Sequence, residues 1–333
     1  MVDLQAIVAV IAGAAGGTAV TAANVQAVRE VAKEFSTAVR YRRARQDVRA
    51  AKRLLGLHQK ESVVYRSDNV HSMYAGTLRI HPDNRRALLA ATGDDYLAAE
   101  TAGLLDVQDT VSADLGQHLV LVGSPTSEGI SRLLFGYTTE RDSGDGLVLQ
   151  SAPVDLPYRF VLSHEQVPER AVARRYIEGS GQVDRPNWRI ETDGQTHIPE
   201  VDNDGWLRTD YLLVTRLRNF LTAEGFAQGH SVTSIAGTHG VGTHALGLLL
   251  RDNAALRSIA ETTRGHPSPS FQALLRVIEI DHDERKGSRA RRIELIGEPV
   301  LLGDAPQRWE TAHRAVRQRV TDWINRLPTN GDM

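Results

Sequence analysis

The chain has 333 residues, of which 41% are hydrophobic and 24% charged, and its formal net charge is -2. These values are typical of a globular protein with one large or two modest domains, and they exclude a strongly basic nucleic-acid-binding protein. The chain has no cysteine, which excludes disulfides, thiol nucleophiles and Cys-based zinc sites. We expect no specific nucleic-acid binding, no metal site and no bound cofactor.

The N-terminal segment predicts a membrane helix. Residues 4–28 contain no charged side chain, and as a helix they would be roughly 37 Å long, against about 30 Å for a bilayer core. Residues 29–53 then hold nine Lys or Arg against three acidic residues, an excess of six. This order of apolar span and positive charge predicts a single-pass protein of the cell inner membrane with its C-terminal domain in the cytoplasm. The alternative is a cytoplasmic protein whose Ala-rich helix packs on the body or on a partner chain.

The charge and glycine pattern sets the predicted domain boundaries. Residues 1–28 are the transmembrane or apolar helix, and residues 29–57 are a basic juxtamembrane helix, because Pro and Gly are absent until Gly56. Residues 58–330 form an α/β domain, with its regular core at about 117–330. Gly13 and Gly17 form a G-x-x-x-G pair, which would let two N-terminal helices pack closely in a homo-oligomer.

Strand-like and helix-like patterns alternate after residue 117. The runs "HLVLV", "LPYRFVLSHE", "DYLLVTRL", "SVTSIAG", "FQALLRVIEI" and "RRIELIGEPVLL" predict strands, and "NWRIE" predicts a small hairpin. The segments after residues 126 and 243 and the amphipathic segment 305–327 predict helices. The alternation predicts an α/β fold: a mixed, mainly parallel sheet with flanking helices, preceded by a long N-terminal helix. The last two strands predict an antiparallel hairpin at the sheet edge.

Two predicted strands end in loops rich in Gly, Ser and Thr, at residues 123–127 and 237–243. Ligands of open α/β sheets bind at the carboxyl ends of strands, glycine lets the backbone approach them, and a following helix presents N–H groups to anions. The second loop reads G-x-x-G-x-G, which is neither a dinucleotide fingerprint nor a P-loop, because Thr243 stands where a P-loop needs Lys. The spacing predicts a backbone cradle for a small anion, or a tight turn that only satisfies backbone geometry.

Charged and basic side chains near these loops are the candidates for chemistry. His239 and His244 are five residues apart, not the four that place two histidines on one helix face, so a zinc site has poor support. His239 or Asp210 is the candidate acid or base, whereas His244 is predicted to be packed or capping. Arg216 stands at the carboxyl end of its predicted strand and is suited to phosphate or carboxylate, or is half of a solvated pair with Arg218.

The segments "LVLVGSPTSEGISRLL", "DYLLVTRLRNF" and "VTSIAGTHGVGTHALGLLL" together resemble a Rossmann-like, sensor-type domain of uncharacterised bacterial proteins. The resemblance covers roughly residues 117–302. It implies a Rossmann-like fold beside a membrane helix, and one pocket shared by both loops, Asp210, Arg216 and Asn219. It implies ligand sensing, with nucleotide-like molecules among the ligands, and no established activity.

The sequence therefore predicts a membrane-anchored cytosolic ligand-sensing domain for a small anionic molecule, including nucleotide-like ones. The alternatives are a hydrolase acting on a nucleotide or related phosphate compound, and a structural or oligomerisation protein. The predicted ligand-binding residues are Gly123, Ser124, Thr126, Ser127, Asp210, Arg216, Asn219, Gly237, His239, Gly240, Gly242 and Thr243.

Overall fold

A computed structural model gives the architecture of the chain. It describes residues 47–57, 63–66, 87, 116–125, 131, 134–140, 146–149, 154–163, 187–203, 206–267, 269–283, 287–303 and 314. The chain divides into two units, Met1–Ala50 and Ala51–Met333, and the fold below is that of the second unit. The predicted membrane helix and Thr126 and Ser127 lie outside the described residues. Within those residues, no helix is both long and apolar enough to cross a bilayer.

Twelve strands and four short helices are named here in chain order, and residues 47–54 are also helical. The strands are β1 (Val63–Arg66), β2 (His118–Val122), β3 (Tyr137–Glu140), β4 (Gly146–Leu149), β5 (Arg159–Ser163), β6 (Asn187–Thr192), β7 (Gln195–His197), β8 (Asp210–Arg218), β9 (Ser231–Gly237), β10 (Phe271–Asp283), β11 (Gly287–Leu295) and β12 (Val300–Leu301). The helices are α1 (Ala223–Ala227), α2 (Gly240–His244), α3 (Leu246–Leu249) and α4 (Asn253–Thr262).

A seven-stranded mixed sheet, the large sheet, forms the centre of the fold. Its strand order is β1-β2-β9-β8-β10-β11, with β12 also pairing with β10. The pairs β1–β2 and β2–β9 are parallel, and the other pairs are antiparallel. The predictions of a mixed sheet and of an antiparallel edge hairpin are confirmed, since β10 and β11 form that hairpin. The prediction of a mainly parallel sheet is wrong for the described strands.

The connection between β8 and β9 explains the antiparallel pairing. Helix α1 has five residues, about 7 Å of helix, whereas returning along a seven-residue strand takes about 23 Å. The connection therefore closes as a turn at one sheet edge, where the Asn219 N–H donates to the His230 carbonyl at 2.7 Å. The sequence predicts the two strands, but it predicts neither the short helix between them nor the antiparallel return.

Both faces of the large sheet are covered. One face packs against residues 51–57 and the helices α2, α3 and α4, through a core that includes Leu55, Val214, Ile235 and Leu249. The other face packs against a five-stranded antiparallel sheet of order β3-β4-β5-β6-β7. The predicted hairpin around "NWRIE" is β6–β7, whose turn contains Gly194 at a φ of 98°. The result is a helical layer, a mixed sheet and a smaller sheet, stacked in that order.

A buried glutamine joins the two sheets. Gln272 in β10 accepts a hydrogen bond from the Tyr158 N–H and donates one to the Tyr158 carbonyl, both at 2.9 Å. Its amide also donates to the Thr215 hydroxyl at 3.0 Å. The side chain therefore pairs with Tyr158 as a neighbouring strand would, and it satisfies backbone groups beside β5 that would otherwise be buried without partners.

Candidate functional site

The glycine loop after β9 has the strand-to-helix geometry that the sequence predicts, and its glycines are required by close packing. A Cβ on Gly237 would lie 2.2 Å from the Thr243 nitrogen, and a Cβ on Gly242 would lie 2.2 Å from the Tyr211 carbonyl oxygen. Real side-chain contacts of this kind do not occur, and the obstructing atoms are backbone. The glycines therefore allow the loop to pack against β8 and against itself.

The cradle formed by this loop is already occupied by a carboxylate of the chain itself. Asp210, the first residue of β8, is fully buried. Its Oδ2 accepts from the Gly242 N–H at 2.6 Å, and its Oδ1 accepts from the Thr238 hydroxyl at 2.5 Å and the His239 N–H at 3.2 Å. Its own neighbour Tyr211 also donates to Oδ1, at 2.9 Å. Asp210 thus supplies the anion that the loop and the start of α2 were predicted to bind. We call this arrangement the Asp210 cradle.

The remaining polar groups of the loop are also used within the chain. Thr243 is buried, and its hydroxyl accepts from the Gly237 N–H at 2.9 Å. The Thr238 N–H donates to the Tyr211 carbonyl at 3.1 Å. His239 is the N-cap of α2 but makes no side-chain capping bond, and its Nδ1 lies 3.4 Å from Asp210 Oδ1. The imidazole is thereby oriented by a buried carboxylate, and its side chain is 15% exposed.

The other predicted loop lies beside the glycine loop. Strands β2 and β9 are parallel neighbours, and the Gly123 N–H donates to the Ile235 carbonyl at 2.9 Å. Gly123 has a φ of 121°, which favours glycine, and Ser124 is buried. Gly240 is partly buried in the adjacent first turn of α2. The structure therefore brings both loops to one edge of the large sheet, as the strand-end rule predicts.

Arg216 and Asn219 lie at the opposite edge, away from the two loops. In the β8–β9 pair, Leu212 is opposite Gly237, whereas Arg216 is opposite Thr233. Six residues separate Asp210 from Arg216 along the strand, or about 20 Å. The implied single pocket is not formed, because β8 runs antiparallel to β9 and its carboxyl end reaches the other edge. Asn219 is buried there, and its amide donates to the Gln117 carbonyl at 2.8 Å while its oxygen accepts from the Leu221 N–H at 2.8 Å.

The Arg216 side chain is a buried cation with little compensation. It is 6% exposed, and its Nη1 donates one long hydrogen bond of 3.4 Å to the Leu54 carbonyl. Its Nε has no hydrogen-bond partner in the described part of the chain, and neither does the buried hydroxyl of Thr233 on the neighbouring strand. Burial lowers the pKa of Arg216 to about 10. Isolated buried charges are costly and are normally paired.

The turn that covers Arg216 is the end of the helical segment 47–54. The Leu57 N–H donates to the Lys52 carbonyl at 2.6 Å and the Gly56 N–H to the Arg53 carbonyl at 3.1 Å, which is a Schellman motif with Gly56 at a φ of 75°. A Cβ on Gly56 would lie 2.7 Å from Thr233 Oγ1 and 3.3 Å from Arg216 Nε. The turn thus rests directly on both unsatisfied atoms. We call Arg216, Thr233 and residues 54–57 the Arg216 cluster.

The sequence predicts Arg216 as a site residue, but it predicts neither Thr233 nor the turn at Gly56. The sequence did indicate that Arg216 is buried. Leu212, Val214 and Arg216 are two residues apart along the strand, so their side chains lie on the same face of β8. The pairing with Thr233 and the contact with residues 54–57 depend on tertiary structure and leave no local pattern. No protein-family model, curated protein sequence or solved structure matches the chain.

Proposed function

We propose that the chain is a ligand-sensing domain that binds a small anionic molecule, nucleotide-like ligands included, at the Arg216 cluster. The observation that carries this proposal is the buried guanidinium of Arg216, whose Nε lacks a hydrogen-bond partner among the described residues. Such a group is stabilised most by an anion that accepts its hydrogen bonds, and the arginine fork matches carboxylate and phosphate oxygens. The Thr233 hydroxyl is a second polar group at the same place that lacks a hydrogen-bond partner among the described residues.

Ligand binding at this cluster is coupled to the covering turn. Gly56 lies so close to Arg216 and Thr233 that a ligand reaches them only if residues 54–57 move. The Leu54 carbonyl, which accepts from Arg216, also belongs to the partly negative end of a helix, so an anion on Arg216 would repel it. A ligand that favours the displaced turn shifts the population toward it.

The N-terminal region is the part of the chain to which we propose that this movement is transmitted. In our proposal, residues 29–57 carry the change toward residues 4–28, which anchor the protein in the inner membrane with the Ala51–Met333 unit in the cytoplasm. Proteolysis of intact spheroplasts, compared with lysed ones, tests the orientation. A C-terminal tag protected until lysis is expected, and recovery of the full chain in the soluble fraction would exclude the anchor.

Thermal denaturation of the full chain against nucleotides, sugar phosphates and dicarboxylates tests the binding proposal. A ligand present at 100 times its dissociation constant stabilises the folded state by about 2.7 kcal/mol, which raises the melting temperature by several degrees. Arg216→Met is expected to abolish this shift, and Arg216→Lys to retain only part of it, because lysine keeps the charge but loses the fork.

The matched control is Arg257→Met, which removes the same charge from the exposed surface of α4. It is expected to keep the full ligand-dependent shift. Absence of a shift across the whole panel, or an equal loss in Arg216→Met and Arg257→Met, would contradict ligand binding at the cluster.

The hydrolase alternative draws on the contact between His239 Nδ1 and Asp210, since a carboxylate at Nδ1 orients a histidine for proton transfer at Nε2. Arg216 lies about 20 Å along the strand from Asp210, so such an enzyme would work without it. Turnover of a nucleotide that His239→Ala removes, with an unchanged melting temperature, would favour this alternative. Intact substrate after long incubation with the wild-type chain would exclude it for the nucleotides tested.

A further inference from the structure

A basic groove lies between the helices α2 and α3 and the edge strand β11. Its volume is about 270 Å³. Two arginines and a histidine line it together with small and apolar residues: His244, Ala245, Gly247, Leu248, Arg251, Arg289 and Ala290. The groove lies away from the Arg216 cluster, which sits where β8 pairs with β9.

Neither arginine of the groove is neutralised within the described part of the chain, where neither guanidinium makes an ion pair or side-chain hydrogen bond. The acids that neighbour them in the sequence or in the strand pairing have other partners. Asp252, which follows Arg251, caps α4 by accepting from the Ala254 and Ala255 N–H groups at 2.9 Å. Asp281, which is opposite Arg289 in the β10–β11 pair, forms an ion pair with Arg291. The two arginines that line the groove therefore have no counterion among the described residues.

We propose that this groove binds the phosphate group of a small phosphomonoester. Guanidinium groups bind phosphate through two parallel hydrogen bonds, and two of them on the lining of one groove match a dianion. Ala245, Leu248 and Ala290 provide apolar surface for the small organic part of the ligand. The volume is slightly below the usual range of about 300–1,000 Å³ for ligand pockets, which favours a compact ligand over a dinucleotide.

Titration calorimetry of the full chain with glycerol phosphate, inorganic phosphate and succinate tests this site. We expect glycerol phosphate to bind, and the double variant Arg251→Gln/Arg289→Gln to weaken its affinity at least tenfold. The control Arg257→Gln/Arg264→Gln removes two charges from other exposed positions and should change the affinity less than twofold. Arg216→Met should leave this binding unchanged, which separates the groove from the site of the proposed function.

Three results would overturn the proposal: no heat of binding with either phosphate compound, equal losses in the groove and control variants, or loss of binding in Arg216→Met. Succinate binding as tightly as glycerol phosphate would overturn the assignment to phosphate. Circular dichroism melting of each variant separates lost binding from lost folding.

Discussion

The large sheet buries a charged side chain near each end of β8, Asp210 at its start and Arg216 near its carboxyl end. The two side chains differ in how fully the fold satisfies their hydrogen bonds. At one edge the Asp210 carboxylate accepts hydrogen bonds from three backbone N–H groups and a threonine hydroxyl. At the other edge the Arg216 guanidinium makes one long hydrogen bond to Leu54, and its Nε has no partner among the described residues. Asp210 therefore has its hydrogen bonds supplied by the fold, whereas Arg216 Nε lacks a hydrogen-bond acceptor among the described residues. This contrast moves the candidate ligand site from the glycine loop to the Arg216 cluster.

Asp210→Ala is expected to give the largest effect. It removes the acceptor of four donors, three of them buried, and each unsatisfied buried donor costs about 1–3 kcal/mol. Allowing for partial relaxation, the free energy of unfolding should fall by about 4 kcal/mol, measured by urea denaturation. The control Asp281→Ala breaks the exposed ion pair with Arg291 and should cost less than about 1 kcal/mol. Similar losses in both variants would mean that the cradle is not saturated by Asp210.

Gly242→Ala tests the same edge by packing. Its new Cβ would lie 2.2 Å from the Tyr211 carbonyl oxygen and 2.9 Å from Asp210 Oδ2. Because the first obstacle is backbone, the loop must shift, at a cost of about 3 kcal/mol. Gly303→Ala is the control, since nothing lies within 4 Å of its added Cβ. A Gly242→Ala chain as stable as wild type would show that the loop adapts, and would reopen it as a ligand site.

Part of this contrast was accessible from the sequence. The strands around Val120, Val214 and Ile235, the edge hairpin and the strand-end position of the glycine loop follow from local patterns of β-branched residues and turn signals. The sequence did not predict that Asp210 is the partner of that loop, because the contact between Asp210 and Gly242 joins residues 32 apart along the chain. The antiparallel course of β8, which separates Arg216 from the loop, depended on the short helix α1.

Arg216→Met is expected to raise the free energy of unfolding, whereas Asp210→Ala and Gly242→Ala lower it. Burial lowers the pKa of Arg216 from its ordinary value to about 10, which corresponds to a penalty of about 3 kcal/mol. A base whose folded pKa is lowered is destabilising at every pH below that pKa, and the penalty fades only as the pH rises from about 10 toward the ordinary arginine pKa. At pH 7, methionine should therefore raise the stability of the ligand-free chain by about 2 kcal/mol.

The measurement for Arg216→Met is urea denaturation at pH 7 without ligand, repeated with the best compound of the thermal panel. Without ligand, the variant should have the higher free energy of unfolding. Added ligand should raise the free energy of unfolding of the wild type and not that of the variant. A loss of stability in ligand-free Arg216→Met would mean that the guanidinium serves the fold, through its hydrogen bond to Leu54, and would remove the contrast between the edges.

The smallest predicted effect compares two buried threonines, one at each edge. The Thr233 hydroxyl has no hydrogen-bond partner among the described residues, so Thr233→Val replaces an unsatisfied polar group by a methyl and should stabilise the ligand-free chain by about 1 kcal/mol. The Thr243 hydroxyl accepts from the Gly237 N–H, so Thr243→Val leaves a buried donor unpaired and should cost about 1–2 kcal/mol. The same substitution should thus shift the urea midpoint in opposite directions. Shifts of equal sign would contradict the view that one edge is complete and the other lacks its ligand.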